Sequence, residues 1–198
     1  MQLPAHRTLI PIFEELRGER VLLRPYREGD AEALFEAISE SREHLLPWMP
    51  WSTQYQSLND ARHFVRLNAS MWIARERLIV SMWDVGSGRF VGGCPCEVDW
   101  SLPSFEIGYW LRSSAESHGY VTDAVRLLTD YFFATYDAKR VFIRCDARNT
   151  RSAAVAERLG FIREARLRNY AIAHDGVLQD MLIYADTPED WVARRSAS

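Results

Sequence analysis

The sequence predicts an α/β fold with a mixed sheet. Three observations carry this. The hydrophobic period alternates between two and 3.6 residues, giving the element order β-α-α-β-β-β-α-β-α-β-β. Two strand segments, Phe105 to Arg112 and Arg140 to Asp146, each empty into a helix start. Of 198 residues, 47% are hydrophobic, enough for a good-sized core in one domain spanning 1–198.

The elements follow in chain order. Residues 1–18 are mixed and read as an N-terminal extension. Arg20 to Pro25 reads as a strand closed by its proline. Asp30 reads as the N-cap of a helix through about Ser39, with Ala33, Leu34, Ala37 and Ile38 on one face. His44 to Trp51 is apolar and broken by Pro47 and Pro50. Ser57 to Arg77 reads as a long helix, because Ala61, Phe64, Val65, Asn68, Met71 and Trp72 recur at helical spacing.

A β-rich middle comes next. Leu78 to Val85 is a strand, Gly86-Ser87-Gly88 a turn, and Arg89 to Trp100 a second strand. Leu102-Pro103-Ser104 turns it into a third, Phe105 to Arg112. There Glu106, Gly108, Trp110 and Arg112 share one face, and Phe105, Ile107, Tyr109 and Leu111 the other. Gly119 to Tyr136 reads as a helix with Val121, Ala124, Val125, Leu128, Phe132 and Phe133 inward. Arg140 to Asp146 is a strand and Arg151 to Leu159 a short helix. Phe161 to Ala173 and Val177 to Tyr184 close as a hairpin across Asp175-Gly176.

Composition excludes several function classes. The net charge of −3 leaves no basic surplus for nucleic acid. No run approaches the roughly 20 apolar residues of a membrane span. Met1 to Arg7 lacks the apolar run of an export signal. Cys94, Cys96 and Cys145 make an odd count, which points to a reducing cytoplasm. Cys94-Pro95-Cys96 is no recognised metal spacing, so no metal site is expected.

Both helix starts suit an anionic ligand, since a helix N-terminus offers unpaired N–H groups and the positive dipole end. Gly119 lies where the first helix begins, with Thr122 and Asp123 in its first turn, and Arg112 and His118 add positive charge nearby. At the second start, Asn149 can cap the helix and Gly160 can take its left-handed C-cap before Phe161.

Together these segments resemble the cofactor half of the GNAT acyltransferase superfamily, and most closely its ribosomal-protein N-terminal acetyltransferase branch. The resemblance covers about residues 20–186. The family's phosphate loop reads Arg or Gln, two residues, Gly, one residue, then Gly or Ala. In Ser114-Ala115-Glu116-Ser117-His118-Gly119, Ser114 replaces Arg/Gln, Ser117 replaces the first glycine, and Gly119 is kept. The branch carries Asn, two residues, Ser, and a Gly-Phe pair beginning eight positions after the serine. Asn149, Ser152, Gly160 and Phe161 match.

The resemblance implies a mixed, largely antiparallel, twisted sheet flanked by helices, and acetyl-CoA as cosubstrate. It places the cofactor against Tyr109, Trp110, Leu111, Arg112, Ser117, His118, Gly119, Tyr120, Val121, Thr122, Asn149 and Ser152. It also implies an oxyanion site at the backbone N–H groups near Tyr109 to Leu111. Many members put a tyrosine acid where this chain has Ala156; the branch gives that task to Ser152. Trp48 and Trp51 fall, by resemblance, on the acceptor side. For the base, Glu106 leads by its place before the cofactor loop, with Glu97, Asp99 and a water-relayed route as rivals. The implied acceptor is a protein or peptide N-terminus. A small-molecule amine, or acyl-CoA binding without catalysis, are the alternatives, and monomer and dimer both stay open.

Overall fold

The computed structural model describes residues 6–196. It is a mixed α/β fold in which a largely antiparallel, open sheet is flanked by helices. The strands are β1 (Leu16–Arg17), β2 (Val21–Pro25), β3 (Arg77–Asp84), β4 (Phe90–Asp99), β5 (Ser104–Ile107), β6 (Trp110–Leu111), β7 (Arg140–Asp146), β8 (Ile162–Ile172) and β9 (Leu178–Asp186). The α-helices are α1 (Ala31–Leu45), α2 (Leu58–Ala74), α3 (Tyr120–Tyr136), α4 (Thr150–Arg158) and α5 (Pro188–Ser196). The sheet order is β1-β2-β3-β4-β5-β7-β9-β8, with β6 beside β4. Among these pairs, β5–β7 is parallel and the others are antiparallel.

Alternation along the strands feeds two cores. Phe105 and Ile107 of β5, with Val141 and Ile143 of β7, pack under Val125, Leu128 and Phe132 of α3. Phe105 stacks on Phe132 with centroids 4.1 Å apart. On the opposite face Ile79, Phe90 and Trp110 meet Leu34 and Ile38 of α1 and Ala61 and Val65 of α2. Each such large apolar side chain, fully buried, contributes roughly 1.5–3 kcal/mol before entropy is charged against it. The expected extension, from Ile10 onward, also joins the first core: Ile10 and Phe13 are buried and β1 pairs with β2. Residues 1–5 lie outside the described residues.

Three sequence expectations are corrected and one helix is added. Asp30 does not cap α1 with its side chain. Its carboxylate takes two bonds from Arg24 (2.7 and 2.8 Å) and one from the Arg27 N–H (2.7 Å), so it ties β2 to the turn. The first helix runs to Leu45 rather than Ser39, because Leu45 is buried and supplies another turn of apolar contact. The strand expected over Phe105 to Arg112 is two pieces in one register. Its break falls at Gly108, which donates to the Pro95 carbonyl at 2.8 Å while Pro95 has no N–H to return. Finally α5 was not anticipated from the sequence; its apolar pattern is too thin, with Trp191 stacked on Phe133 as its main anchor.

Candidate active site

The parting of two strands makes the site. β5 pairs with β7 from Ser104 through Glu106, and beyond that point β6 follows β4 alone. Gly92 permits this close approach of β4 to β6: a Cβ there would lie 2.2 Å from the Trp110 carbonyl. Gly108 and Arg112 donate to Pro95 and Val91 of β4, both at 2.8 Å. N–H groups alternate sides along a strand, so those of Tyr109 and Leu111 point away from β4, towards the opening. The resulting cleft has a volume of about 760 Å³.

Three segments line it. The C-terminal end of α1 and its following turn supply Glu43, His44, Trp48 and Met49; β6, the residue before it and the next loop supply Tyr109, Trp110, Leu111, Glu116 and Ser117; the starts of α3 and α4 supply Gly119 to Thr122 and Arg148 to Ser152. The loop from Arg112 to Gly119 is held open by two left-handed residues, Ser117 (φ 64°) and Gly119 (φ 78°). Gly119 takes that conformation freely; Ser117 takes it against its Cβ. The turn delivers the first N–H groups of α3 unpaired to the cleft.

Behind the loop lies an ion cluster centred on a buried arginine. Arg112, 2% exposed, donates to Glu40 and to Glu36 (2.8 Å). Glu40 in turn accepts from the Ser114 N–H at 3.0 Å, and Ser41 Oγ from the Ser113 N–H at 2.8 Å. The Arg112 hydrogen bonds, working against partial burial, hold the Glu40 carboxyl down at about 2. One helix, α1, therefore fixes the loop that opens onto the cleft.

At the start of α4 Asn149 caps the helix, accepting from the Ser152 N–H at 3.1 Å. The Tyr109 hydroxyl reaches across from the residue before β6 to lie 2.9 Å from Ser152 Oγ and 3.0 Å from the Ser152 carbonyl. Burial pushes the Tyr109 phenol well above its ordinary value, so it stays protonated at neutral pH and can donate. On the facing wall one oxygen of Glu116 bonds both His44 Nε2 and Arg151 Nη1, each at 2.7 Å.

The structure sorts the residues singled out from sequence. Trp48, Tyr109, Trp110, Leu111, Ser117, Gly119, Tyr120, Val121, Thr122, Asn149 and Ser152 all line the cleft. Four do not. Arg112 points the opposite way, because strand alternation puts it on the α1 face with Glu36 and Glu40. His118 Nδ1 bonds the Glu116 carbonyl at 2.6 Å and its ring stacks on Tyr120. Trp51 packs edge-on against Trp110 and Tyr55 in the second core. Glu106 lies on the sheet face away from α3, both its oxygens bonded by Arg144 at 2.7 Å. Its rivals are also engaged: Glu97 by Arg77, Asp99 by the Ser101 N–H and hydroxyl. Sequence reasoning missed the hydroxyl pairing of Tyr109 with Ser152 and the His44–Glu116–Arg151 bridge. Those partners are 43, 72 and 35 residues apart, and no local spacing signals them. Among the described residues no cluster of His, Cys, Asp or Glu could hold a metal, and no helix is long and apolar enough to cross a membrane.

An open sheet parted between two strands, with two helix N-termini and a hydroxyl pair at the parting, is an α/β frame whose cleft can take an extended anionic ligand. The model of the acetyltransferase (GNAT) domain matches residues 20–162, and the chain belongs to that family. It is an acetyl-CoA-dependent N-acetyltransferase. Among curated relatives it is 25% identical to the ribosomal-protein-serine acetyltransferase of Escherichia coli (strain K12), over 85% of this chain and 93% of that protein. It is 26% identical to the [ribosomal protein uS5]-alanine N-acetyltransferase of the same organism, over 91% and 94%. Among solved structures, the microcin C7 self-immunity acetyltransferase MccE, in complex with acetyl-CoA and AMP, has a TM-score of 0.80 at 25% identity, over 85% and 93%.

Proposed function

We propose that residues 1–198 work as one domain, in the cytoplasm, acetylating the α-amine of a protein or peptide N-terminus of the ribosomal-protein type. One observation carries the choice of acceptor. The acceptor cleft has few free carboxylates: Glu116 is bonded by Arg151 and by His44, leaving Glu43 in a cleft that Arg148 and Arg158 also line. A polyamine or aminoglycoside carries several positive charges and needs several carboxylates to hold it. A peptide end brings one amine and little other charge. That amine has a pKa of roughly 7.7–8.0 against about 10.4 for lysine, so a weak base suffices to expose its lone pair. The relatives that act on ribosomal proteins support the same reading, and the three free, buried thiols fit the compartment.

In this reading the cofactor's diphosphate lies on the N–H groups around Ser117 to Val121, and Asn149, its Oδ1 engaged in the cap, donates Nδ2 to the pantetheine arm. The amine attacks the thioester carbon directly, with its chain running out past Trp48. The N–H of Tyr109 or Leu111 receives the oxyanion. As the C–S bond breaks, the thiolate takes its proton from the Tyr109–Ser152 hydroxyl pair. The test is acetyl transfer from acetyl-CoA to a panel of N-terminal peptides, free lysine, polyamines and aminoglycosides. Peptides are expected to give the highest kcat/KM. Activity confined to small amines would defeat the peptide assignment.

A further inference from the structure

Direct attack by an amine requires a proton acceptor, and the carboxylates on the sheet are held elsewhere: Glu106 by Arg144, Glu97 by Arg77. We propose that His44 takes the proton from the attacking amine, held for that task by Glu116. This rests on reading the cleft as an amine-acetylating site.

The geometry is that of an oriented imidazole. His44 shares the cleft with Trp48, Tyr109 and Ser152. Its Nε2 lies 2.7 Å from Glu116 Oε1, and the same oxygen is anchored at 2.7 Å by Arg151 Nη1. An Nε2–H donated to a carboxylate leaves Nδ1 as the lone-pair atom, the tautomer following from that bond. His44 also sits in the last turn of α1, where the carbonyl end of the helix dipole favours the imidazolium that proton transfer creates. The charged and titratable groups that line the cleft with it are Glu43 on α1, Tyr109 just before β6, Glu116 on the loop, Tyr120 on α3, and Arg148, Arg151 and Arg158 before and along α4, while Glu40 lies one turn earlier on α1. Glu40 is committed to Arg112 and Ser114.

The step balances. The amine lone pair forms the N–C bond at the thioester carbonyl, and the ammonium proton passes to His44 Nδ1. The C–S bond then breaks and its electron pair leaves on sulfur, which takes a proton from the Tyr109–Ser152 pair. Water carries the proton from His44 back to solvent and restores the hydroxyl. The products are the acetylated amine and CoA.

The competing role is structural. Glu40, Ser41 and His44 all bond the cofactor loop, so His44 would then only clasp α1 to it. His44→Gln separates the two, since a glutamine amide can still donate to Glu116 but cannot take a proton near neutrality. The experiment measures kcat against pH for the wild type, His44→Gln and His44→Ala with the best amine of the acceptor panel, alongside CoA affinity by calorimetry and thermal melts. The expected result for His44→Gln is an unchanged melt, CoA affinity within about twofold, kcat down by roughly 10²-fold or more, and loss of the acidic limb of the profile. Added imidazole should partly restore His44→Ala. A His44→Gln enzyme with wild-type kcat and profile would overturn the proposal. So would lost CoA affinity with the acidic limb unmoved, or an acidic limb that disappears instead in Glu43→Gln. A wild type that acetylates no amine at all would overturn the underlying reading, and this proposal with it.

Discussion

Ser117 holds a left-handed backbone at φ 64°, where a residue with a Cβ carries a penalty of roughly 1–2 kcal/mol. The family's loop has glycine at this position, and the geometry explains why. The turn at 117 aims the N–H groups of α3 at the cleft whichever residue occupies it, so the missing glycine shows up as strain and not as a changed path. Ser117→Gly should therefore raise stability by about 0.5–1 kcal/mol in urea or thermal unfolding, the relieved strain being offset in part by a more flexible unfolded chain. A destabilised variant would show that the serine side chain holds the loop. Ser152 and Tyr109 make a second residue-scale prediction. Ser152→Ala and Tyr109→Phe should each lower kcat by roughly 10²-fold while leaving CoA affinity within a few-fold. Affinity lost with kcat kept at saturation would make Ser152 a helix-start residue and no more.

At the scale of elements, α1 does more than cover the sheet. Arg112, nearly fully buried, joins β6 to Glu36 and Glu40, and Glu40 also accepts the Ser114 N–H of the cofactor loop. Removing one partner of such a cluster leaves the other charge underpaired. Glu40→Gln should cost about 1.5–3 kcal/mol and weaken CoA binding. The pH dependence has a definite sign. The Glu40 carboxyl sits at about 2 in the fold against an ordinary value of about 4.3 unfolded. Its contribution is complete above the unfolded value and is lost as pH falls towards about 2. Acid titration of stability should show less loss between those values in Glu40→Gln than in the wild type; identical curves would remove Glu40 as a source. The break at Gly108 is the other element-scale device. Pro95→Ala supplies the missing N–H opposite the Gly108 carbonyl and should add about 0.5–1.5 kcal/mol in thermal unfolding. An unchanged or lower stability would mean that the proline ring's packing against Gly108 outweighs the bond.

The whole molecule shows what a sequence can and cannot carry. β7 runs from Arg140 to Asp146, the bounds its alternation predicts, and α3 begins one residue after Gly119. Periodic burial makes such elements legible because each answers to its own spacing. The residues lining the cleft were legible where they follow one another along the loop and the two helix starts. What stayed hidden depends on pairs distant in sequence. Tyr109 meets Ser152 only because β6 leaves β7, and His44 meets Glu116 only because α1 docks on the loop. Arg112 and Glu106 look like free charges in the sequence. Strand alternation turns both onto the face opposite α3, where Glu36, Glu40 and Arg144 engage them. The resemblance puts Trp51 with Trp48 on the acceptor side, yet its ring packs against the second core.

The central claim is that one parting of the sheet brings the cofactor's two ends to the two helix starts. Crystals of the protein with CoA test this most directly. The account predicts the diphosphate on the backbone N–H groups of Ser117 to Val121 and the sulfur within hydrogen-bonding distance of the Tyr109–Ser152 hydroxyls. Density for CoA that places the diphosphate away from the start of α3, or the sulfur out of reach of both hydroxyls, would contradict it.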